Sequence, residues 1–168
     1  GKIPMILDGG ESGSGIESTI IDLTEEEPAI LRLGYISIED IQKVIGTVQI
    51  KKEDTKKHYA PKAELILVEG ITEHVIEKIN ELTLALEKEG GKAGVIATDE
   101  TMALYKTGEV LSLGARADEM ALAKHLYRIL REFDARGVDR GDRENFKTEG
   151  IGQAVADRLQ KAAGNQII

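Results

Sequence analysis

The sequence contains no cysteine and no tryptophan, and aromatic residues make up only 4% of its 168 residues. Without cysteine, neither a disulfide framework nor a thiolate metal site can form, and an intracellular protein is the simpler interpretation. Because large aromatic side chains are scarce, we expect a core built mainly from isoleucine, leucine, valine and alanine.

Long apolar runs are also missing, since none approaches the roughly 20 residues that a membrane helix needs. The first residues lack the basic-then-apolar pattern of a signal peptide. We therefore expect a cytoplasmic protein with no membrane partner. The 30 acidic and 22 basic side chains give a net charge of −8. Because an acidic surface repels phosphate backbones, direct nucleic-acid binding is not expected.

The second part of the chain alternates short apolar strands with amphipathic helices. This alternation predicts a small Rossmann-like α/β domain over residues 64–168, with a mainly parallel sheet of about five strands and helices on both faces. The strands are predicted at 64–68, 93–97, 110–113 and 166–168, and the helices at 72–89, 116–136 and 150–163, with one helical turn at 101–105. The charged stretch 139–144 is interpreted as an exposed loop.

The first part of the chain has a different pattern. Strands are predicted at 6–8, 18–23 and 29–32, and a helix is predicted to begin at Ser37, where Ser37 and Asp40 form a capping box. We interpret residues 1–47 as a partial α+β segment that buries too little surface to be stable alone. Residues 48–63 are rich in lysine, lack apolar periodicity and are interpreted as an interdomain linker.

Several residues in this first part and in the linker have two interpretations. The glycine-rich stretch 9–15 is either an anion-binding loop or a flexible connection. Ser18 and the next residue either hold a substrate carboxylate or phosphate, or simply suit a strand. The guanidinium of Arg32, in an apolar strand, faces either water or an anion. His58 and Tyr59 are either solvated or part of a fixed loop.

The remaining histidines, His74 and His125, lie alone on predicted helices with no second ligand at metal-binding spacing. The sequence also lacks an acidic cluster that resembles a calcium loop. We therefore expect no metal site built from protein ligands only.

Together these pieces resemble one family, the two-domain L-threonylcarbamoyladenylate synthases. The last third of their YrdC-like catalytic domain is similar to Asp8-Gly-Gly, Gly15-Ile-Glu-Ser-Thr-Ile-Ile-Asp22 and Ile30-Leu-Arg32-x-Gly34. Their interdomain linker is similar to His58-Tyr-Ala-Pro-Lys62. Their C-terminal domain is similar to Arg131-Glu-Phe-Asp134, Gly150-Ile-Gly, Asp157-Arg-Leu and Lys161-Ala-Ala-Gly164.

This resemblance implies a nucleotidyltransferase that joins L-threonine and bicarbonate to the AMP part of ATP and releases pyrophosphate. The product would pass to a downstream machinery that transfers the threonylcarbamoyl group to tRNA. ATP would be a substrate, with Mg²⁺ carried on its phosphates. By position, Ser18 would contact threonine, Arg32 would contact the nucleotide, and Tyr59 with His58 would bring the linker over the pocket. The resemblance identifies no catalytic acid or base.

The family's Lys-x-Arg and Ser-x-Asn motifs are absent from this sequence. We therefore expect a fragment whose first 47 residues are the remnant of the catalytic domain, and which is inactive alone. The alternative, from a different class of protein, is a non-catalytic regulatory or interaction module built on the α/β domain.

Overall fold

The structure is a computed structural model that describes residues 3–10, 13, 15–51, 61–144, 151–164 and 166–168. The N-terminal segment, residues 15–51, contains β1 (Ile20–Asp22), β2 (Ala29–Arg32), α1 (Ile38–Ile45) and β3 (Gln49–Ile50). The α/β domain, residues 61–168, contains β4 (Glu64–Val68), α2 (Thr72–Lys88), β5 (Ala93–Ala97), a 3-10 helix (Met102–Leu104), β6 (Glu109–Ser112), α3 (Glu119–Arg136), β7 (Arg140–Glu144) and α4 (Ile151–Ala162).

The α/β domain is built on a parallel sheet with the strand order β4-β7-β5-β6. Successive side chains of a strand point to opposite faces, so the sheet needs a cover on each side. On one face Val95 and Ala97 of β5 pack with α2, and on the other Ile96 packs with α3 and α4. The predicted α/β class, with helices on both faces of a parallel sheet, is confirmed. At the end of the chain, Ile167 forms only an isolated parallel bridge with Leu67.

The charged stretch 139–144 was predicted to be an exposed loop, and this prediction was wrong. It forms β7, which lies between β4 and β5, and four of its five residues are buried. Burial of the two carboxylates, Asp142 and Glu144, is tolerated because each is paired, whereas Nε and Nη1 of the buried Arg143 have no hydrogen-bond partner among the described residues. Arg140 Nε donates to Asp142 Oδ1 over 3.2 Å, and the Glu144 carboxylate accepts from Arg116 Nη2 over 2.5 Å and from the Thr98 amide over 3.1 Å.

In the N-terminal segment, β1 pairs antiparallel with β2, and β3 pairs parallel with β2. The helix α1 begins as predicted, because the Ser37 hydroxyl accepts a hydrogen bond from the Asp40 amide over 3.1 Å. It ends at Gly46, whose φ of 80° suits glycine. Residues 49 and 50 belong to this small sheet as β3. The predicted beginning of the linker at residue 48 stays a prediction.

The N-terminal segment and the residues before it bury little apolar surface. All eight residues of α1 are described and none is buried; Val44 is 82% exposed. The predicted strand at residues 6–8 is absent from the described part of the chain, where Leu7 is 88% exposed. Apolar sequence alone does not make a strand, because its backbone must also find a neighbouring strand to pair with.

Candidate functional site

The hairpin of β1 and β2 brings Ser18 and Arg32 together. Because Ile20 of β1 lies opposite Arg32 of β2, the residues just before β1 pass alongside the Arg32 side chain. Arg32 Nε donates to the Ser18 carbonyl over 3.1 Å, and Arg32 Nη2 donates to Ser18 Oγ over 3.1 Å. Two residues that the sequence singled out separately therefore form one polar pair.

The residues around this pair are fixed by close backbone contacts. The Tyr35 amide donates to the Glu17 carbonyl over 3.0 Å. The Thr19 hydroxyl donates to the Ile36 carbonyl over 2.7 Å and accepts from the Ile36 amide over 3.1 Å. A Cβ atom at Gly34 would lie 2.3 Å from the Glu17 carbonyl oxygen. Only glycine fits there, so Gly34 permits the close approach that places Ser18 beside Arg32.

This arrangement suits an anionic ligand. A hydroxyl that accepts from a guanidinium keeps its own proton to donate, and Ser18 can give that proton to a carboxylate or phosphate oxygen. A guanidinium carries about five N–H donors, so Arg32 has more than the two that Ser18 uses. The pair is half-exposed, with Arg32 partly buried and Ser18 open to solvent.

A second polar cluster lies directly behind this pair, and the sequence did not predict it. Arg158 of α4 donates from Nε to Glu17 Oε2 over 3.0 Å, from Nη2 to the Leu33 carbonyl over 2.7 Å and from Nη1 to Asp157 over 2.9 Å. The hydroxyl of Tyr127, on α3, donates to Glu17 Oε1 over 2.9 Å. The cluster therefore joins the N-terminal segment to the two helices of the α/β domain.

The acidity of Glu17 reflects these contacts. Burial alone would raise the pKa of its carboxyl group, but hydrogen bonds from Arg158 and Tyr127 outweigh that effect and lower the pKa to about 2. For Tyr127, burial and the hydrogen bond to Glu17 raise the pKa to about 12. At neutral pH Glu17 is therefore a carboxylate and Tyr127 a neutral phenol.

A signal for Arg158 was present in the sequence. Ala154, Val155 and Leu159 form the buried stripe of α4, and helical spacing puts position 158 on the same side. A charged residue on such a stripe must be paired, and the side chain of Arg158 is only 1% exposed. The sequence could not show which carboxylate would pair with it, since Glu17 lies 141 positions earlier.

The structure describes only some of the other predicted candidates. His58 and Tyr59 lie outside the described residues, as do parts of the glycine-rich stretch 9–15. Gly15 is described and serves packing, because a Cβ atom there would lie 2.3 Å from Lys124 Cα of α3. His125 Nδ1 lies 2.8 Å from the Leu113 carbonyl oxygen.

Two cavities differ in their position and lining. One of about 290 Å³ lies between the N-terminal segment and α3 and is lined in part by Glu17 and Tyr127. Another, of about 560 Å³, is a mainly apolar groove between α2 and the 3-10 helix. Neither Ser18 nor Arg32 lines either of these two cavities.

Two features are absent from the described residues. No group of three or more histidine, aspartate or glutamate side chains there is placed to hold a metal ion. None of the helices in the same part of the chain is both long and apolar enough to cross a membrane.

The fold and the site together define a class: an α/β domain with a parallel four-stranded sheet, attached to a small sheet that carries a serine–arginine pair. Residues 36–164 match the sequence family described as "Threonylcarbamoyl-AMP synthase, C-terminal domain". The chain belongs to the threonylcarbamoyl-AMP synthase family.

Relatives in two organisms agree with this assignment. The chain is 44% identical to the threonylcarbamoyl-AMP synthase of Pyrococcus abyssi, covering 100% of this chain and 52% of that protein. It is 37% identical to the synthase of Bacillus subtilis, covering 100% of this chain and 51% of that protein. The crystal structure of P. abyssi Sua5 complexed with L-threonine superposes with a TM-score of 0.87 at 42% identity, covering 99% of this chain and 51% of that one. The chain thus spans about half the length of the curated relatives it matches.

Proposed function

We propose that this chain works as part of a cytoplasmic enzyme that forms L-threonylcarbamoyladenylate and pyrophosphate from L-threonine, bicarbonate and ATP. Its product would supply the machinery that transfers a threonylcarbamoyl group to tRNA. The observation that carries this proposal is the Ser18–Arg32 pair, which a family member would use to hold anionic groups of its substrates.

In this proposal Ser18 donates its hydroxyl proton to the threonine carboxylate. Arg32 orients Ser18 and directs its remaining donors to the nucleotide, where its planar group suits phosphate oxygens. Mg²⁺ would accompany the phosphates of ATP as part of the substrate. The protein's contribution is placement and charge stabilisation, because reaction between bound partners mainly requires correct geometry around developing charge.

The likeness to a protein solved with L-threonine supports the assignment of threonine as a substrate. His58 and Tyr59 would lie over the occupied pocket and exclude water from the labile carbamate. The competing hypothesis, a non-catalytic regulatory module, predicts that neither threonine nor ATP binds through Ser18 and Arg32.

The test uses the extended protein, by which we mean this chain together with the part of the relatives' length that it does not span. ATP and threonine are titrated calorimetrically into the wild type, Arg32→Ala and Arg32→Lys, with Arg128→Ala, an exposed arginine of α3, as the control. Loss of a charge-assisted contact worth about 1.5–3 kcal/mol should weaken ATP binding about 10- to 150-fold in Arg32→Ala. Arg32→Lys should recover only part of this loss, because lysine keeps the positive charge but lacks the planar, paired N–H donors of a guanidinium.

The control should bind ATP like the wild type, and the melting temperature of ligand-free Arg32→Ala should change little. Unchanged ATP affinity in Arg32→Ala would contradict the role of Arg32 in the nucleotide site. A wild-type extended protein that binds neither ligand would contradict the proposed function itself.

A further inference from the structure

We propose that Arg158 is a positioning residue through which the α/β domain holds Ser18 and Arg32 in their substrate-binding geometry. This inference rests on the proposed function, and it gives the α/β domain a part in substrate binding.

Two contacts of Arg158, one with a carboxylate and one with a main-chain carbonyl, fall directly beside the polar pair. One goes to Glu17, which immediately precedes Ser18, and the other goes to the carbonyl of Leu33, which immediately follows Arg32. A single guanidinium thus binds both chain positions next to the polar pair. Because the guanidinium is planar and rigid, the separation between these two positions is set by the separation of its own nitrogens.

The guanidinium is itself held firmly. Its side chain is 1% exposed, and the neighbouring Asp157 accepts from Nη1 over 2.9 Å. The second oxygen of the Glu17 carboxylate accepts from Tyr127. With both carboxylate oxygens bound, the Glu17 side chain has little freedom to rotate. The backbone that leads into Ser18 is therefore held in place.

Apolar packing supports the same junction. Ile16 is 7% exposed and belongs to the core cluster formed by α3 and α4. Gly15 lets the chain approach α3 so closely that a Cβ atom there would overlap the Lys124 backbone. The stretch before Ser18 is therefore docked on the α/β domain, and Arg158 completes the docking on its polar side.

A purely structural role makes a different prediction. Buried ion pairs contribute little net stability on average, although removing one partner leaves an uncompensated charge. If Arg158 only stabilised the fold, its loss would lower stability without a selective loss of substrate affinity. If it positions Ser18, removing Arg158 should weaken threonine binding more than removing a similarly buried arginine far from the polar pair does.

Arg140 offers a matched comparison. It too is largely buried, and it too binds a carboxylate and a main-chain carbonyl, those of Asp142 and Leu82; Arg158 differs in also binding the neighbouring Asp157. These partners lie on the sheet and on α2, away from Glu17 and Leu33. Arg140→Met therefore removes the same kind of interaction at a place with no contact to the polar pair.

The experiment titrates L-threonine into the extended protein by calorimetry at a temperature where each variant is folded. A small misplacement of a binding group can cost up to about 100-fold, so Arg158→Met should weaken threonine binding by about 10- to 100-fold. Arg140→Met should change it by less than about twofold, because distant sites act independently. Arg158→Lys should recover part of the affinity, and Tyr127→Phe, a milder change that keeps the fold, should weaken binding about 2- to 10-fold.

A double variant separates positioning from general damage. If Arg158 acts through Ser18, then adding Arg158→Met to Ser18→Ala should cost much less threonine affinity than Arg158→Met costs alone. Fully additive losses, or equal losses in Arg158→Met and Arg140→Met, would overturn the inference. A wild-type protein that binds threonine while Arg158→Met and Tyr127→Phe bind it equally well would overturn this inference and leave the proposed function standing. A wild type that does not bind threonine would overturn both.

Discussion

The N-terminal segment and the α/β domain are held in place by different means. The α/β domain has apolar clusters on both faces of its sheet, and residues such as Phe133 and Ile96 are fully buried. The N-terminal segment has few buried apolar side chains, and one of them, Ile16, packs into the core of the α/β domain. The comparison teaches that the segment carrying the Ser18–Arg32 pair is held mainly by its docking on the α/β domain and only secondarily by a core of its own.

The largest loss of stability is expected from a substitution in the core of the α/β domain. The ring of Phe133 packs against Gly94 and Gly141, where a Cβ atom would come within 2.7 and 2.8 Å of it. Phe133→Ala should lower the free energy of unfolding by about 3–5 kcal/mol, measured by urea denaturation. The comparison residue is Val44 in the N-terminal segment, which is 82% exposed. Val44→Ala should change stability by less than about 0.5 kcal/mol. Similar losses for the two variants would contradict the contrast between the regions.

The next largest effect is expected from a substitution that weakens the docking of the N-terminal segment and leaves the core of the α/β domain unchanged. Gly15 has φ of 60° and approaches the backbone of α3, so Gly15→Ala introduces both strain and overlap. We expect docking to weaken by more than about 1 kcal/mol, which should speed limited proteolysis within residues 16–36 at least fivefold. Gly9→Ala, at an open position, is the control. Cleavage that is equally fast in wild type and Gly15→Ala would show that the segment is not held there.

A smaller effect depends on pH. The pKa of Glu17 is lowered from 4.5 to about 2 in the folded protein, so its interactions stabilise the docked state above pH 4.5 and are lost as the pH falls towards 2. Glu17 is about one-third exposed, so we expect roughly 1–2 kcal/mol after allowance for solvent screening. Unfolding free energies of wild type and Glu17→Gln, measured from pH 5.5 to 2, should differ at the upper end and converge at the lower. A constant difference across this range would contradict the assigned pKa.

Much of the α/β fold could be predicted because local signals agreed with each other. Apolar strands such as 64–68 alternated with amphipathic helices. In the N-terminal segment, the Ser37 cap likewise marked the beginning of α1. The strand β7 could not be predicted in this way, because its charges resemble those of a solvent-exposed loop. For Glu144, burial depends on Arg116, a partner 28 positions earlier that no local pattern identifies.

The site was predictable only in part for the same reason. Ser18 and Arg32 were singled out by type and by family resemblance, and the hairpin register brought them into contact. Helical periodicity could have marked Arg158 as a buried charge that needs a partner. That its partners flank Ser18 and Arg32 depends on how α4 packs against the N-terminal segment, which no local pattern shows.

The most direct test of the account is amide hydrogen exchange of the extended protein, compared between wild type and Arg158→Met. If Arg158 holds the segment in place, amides of residues 15–36 should exchange faster in the variant, while those of β5 and α3 should keep their wild-type rates. Unchanged exchange over residues 15–36, or an equal acceleration throughout the α/β domain, would contradict the claim that this arginine docks the N-terminal segment.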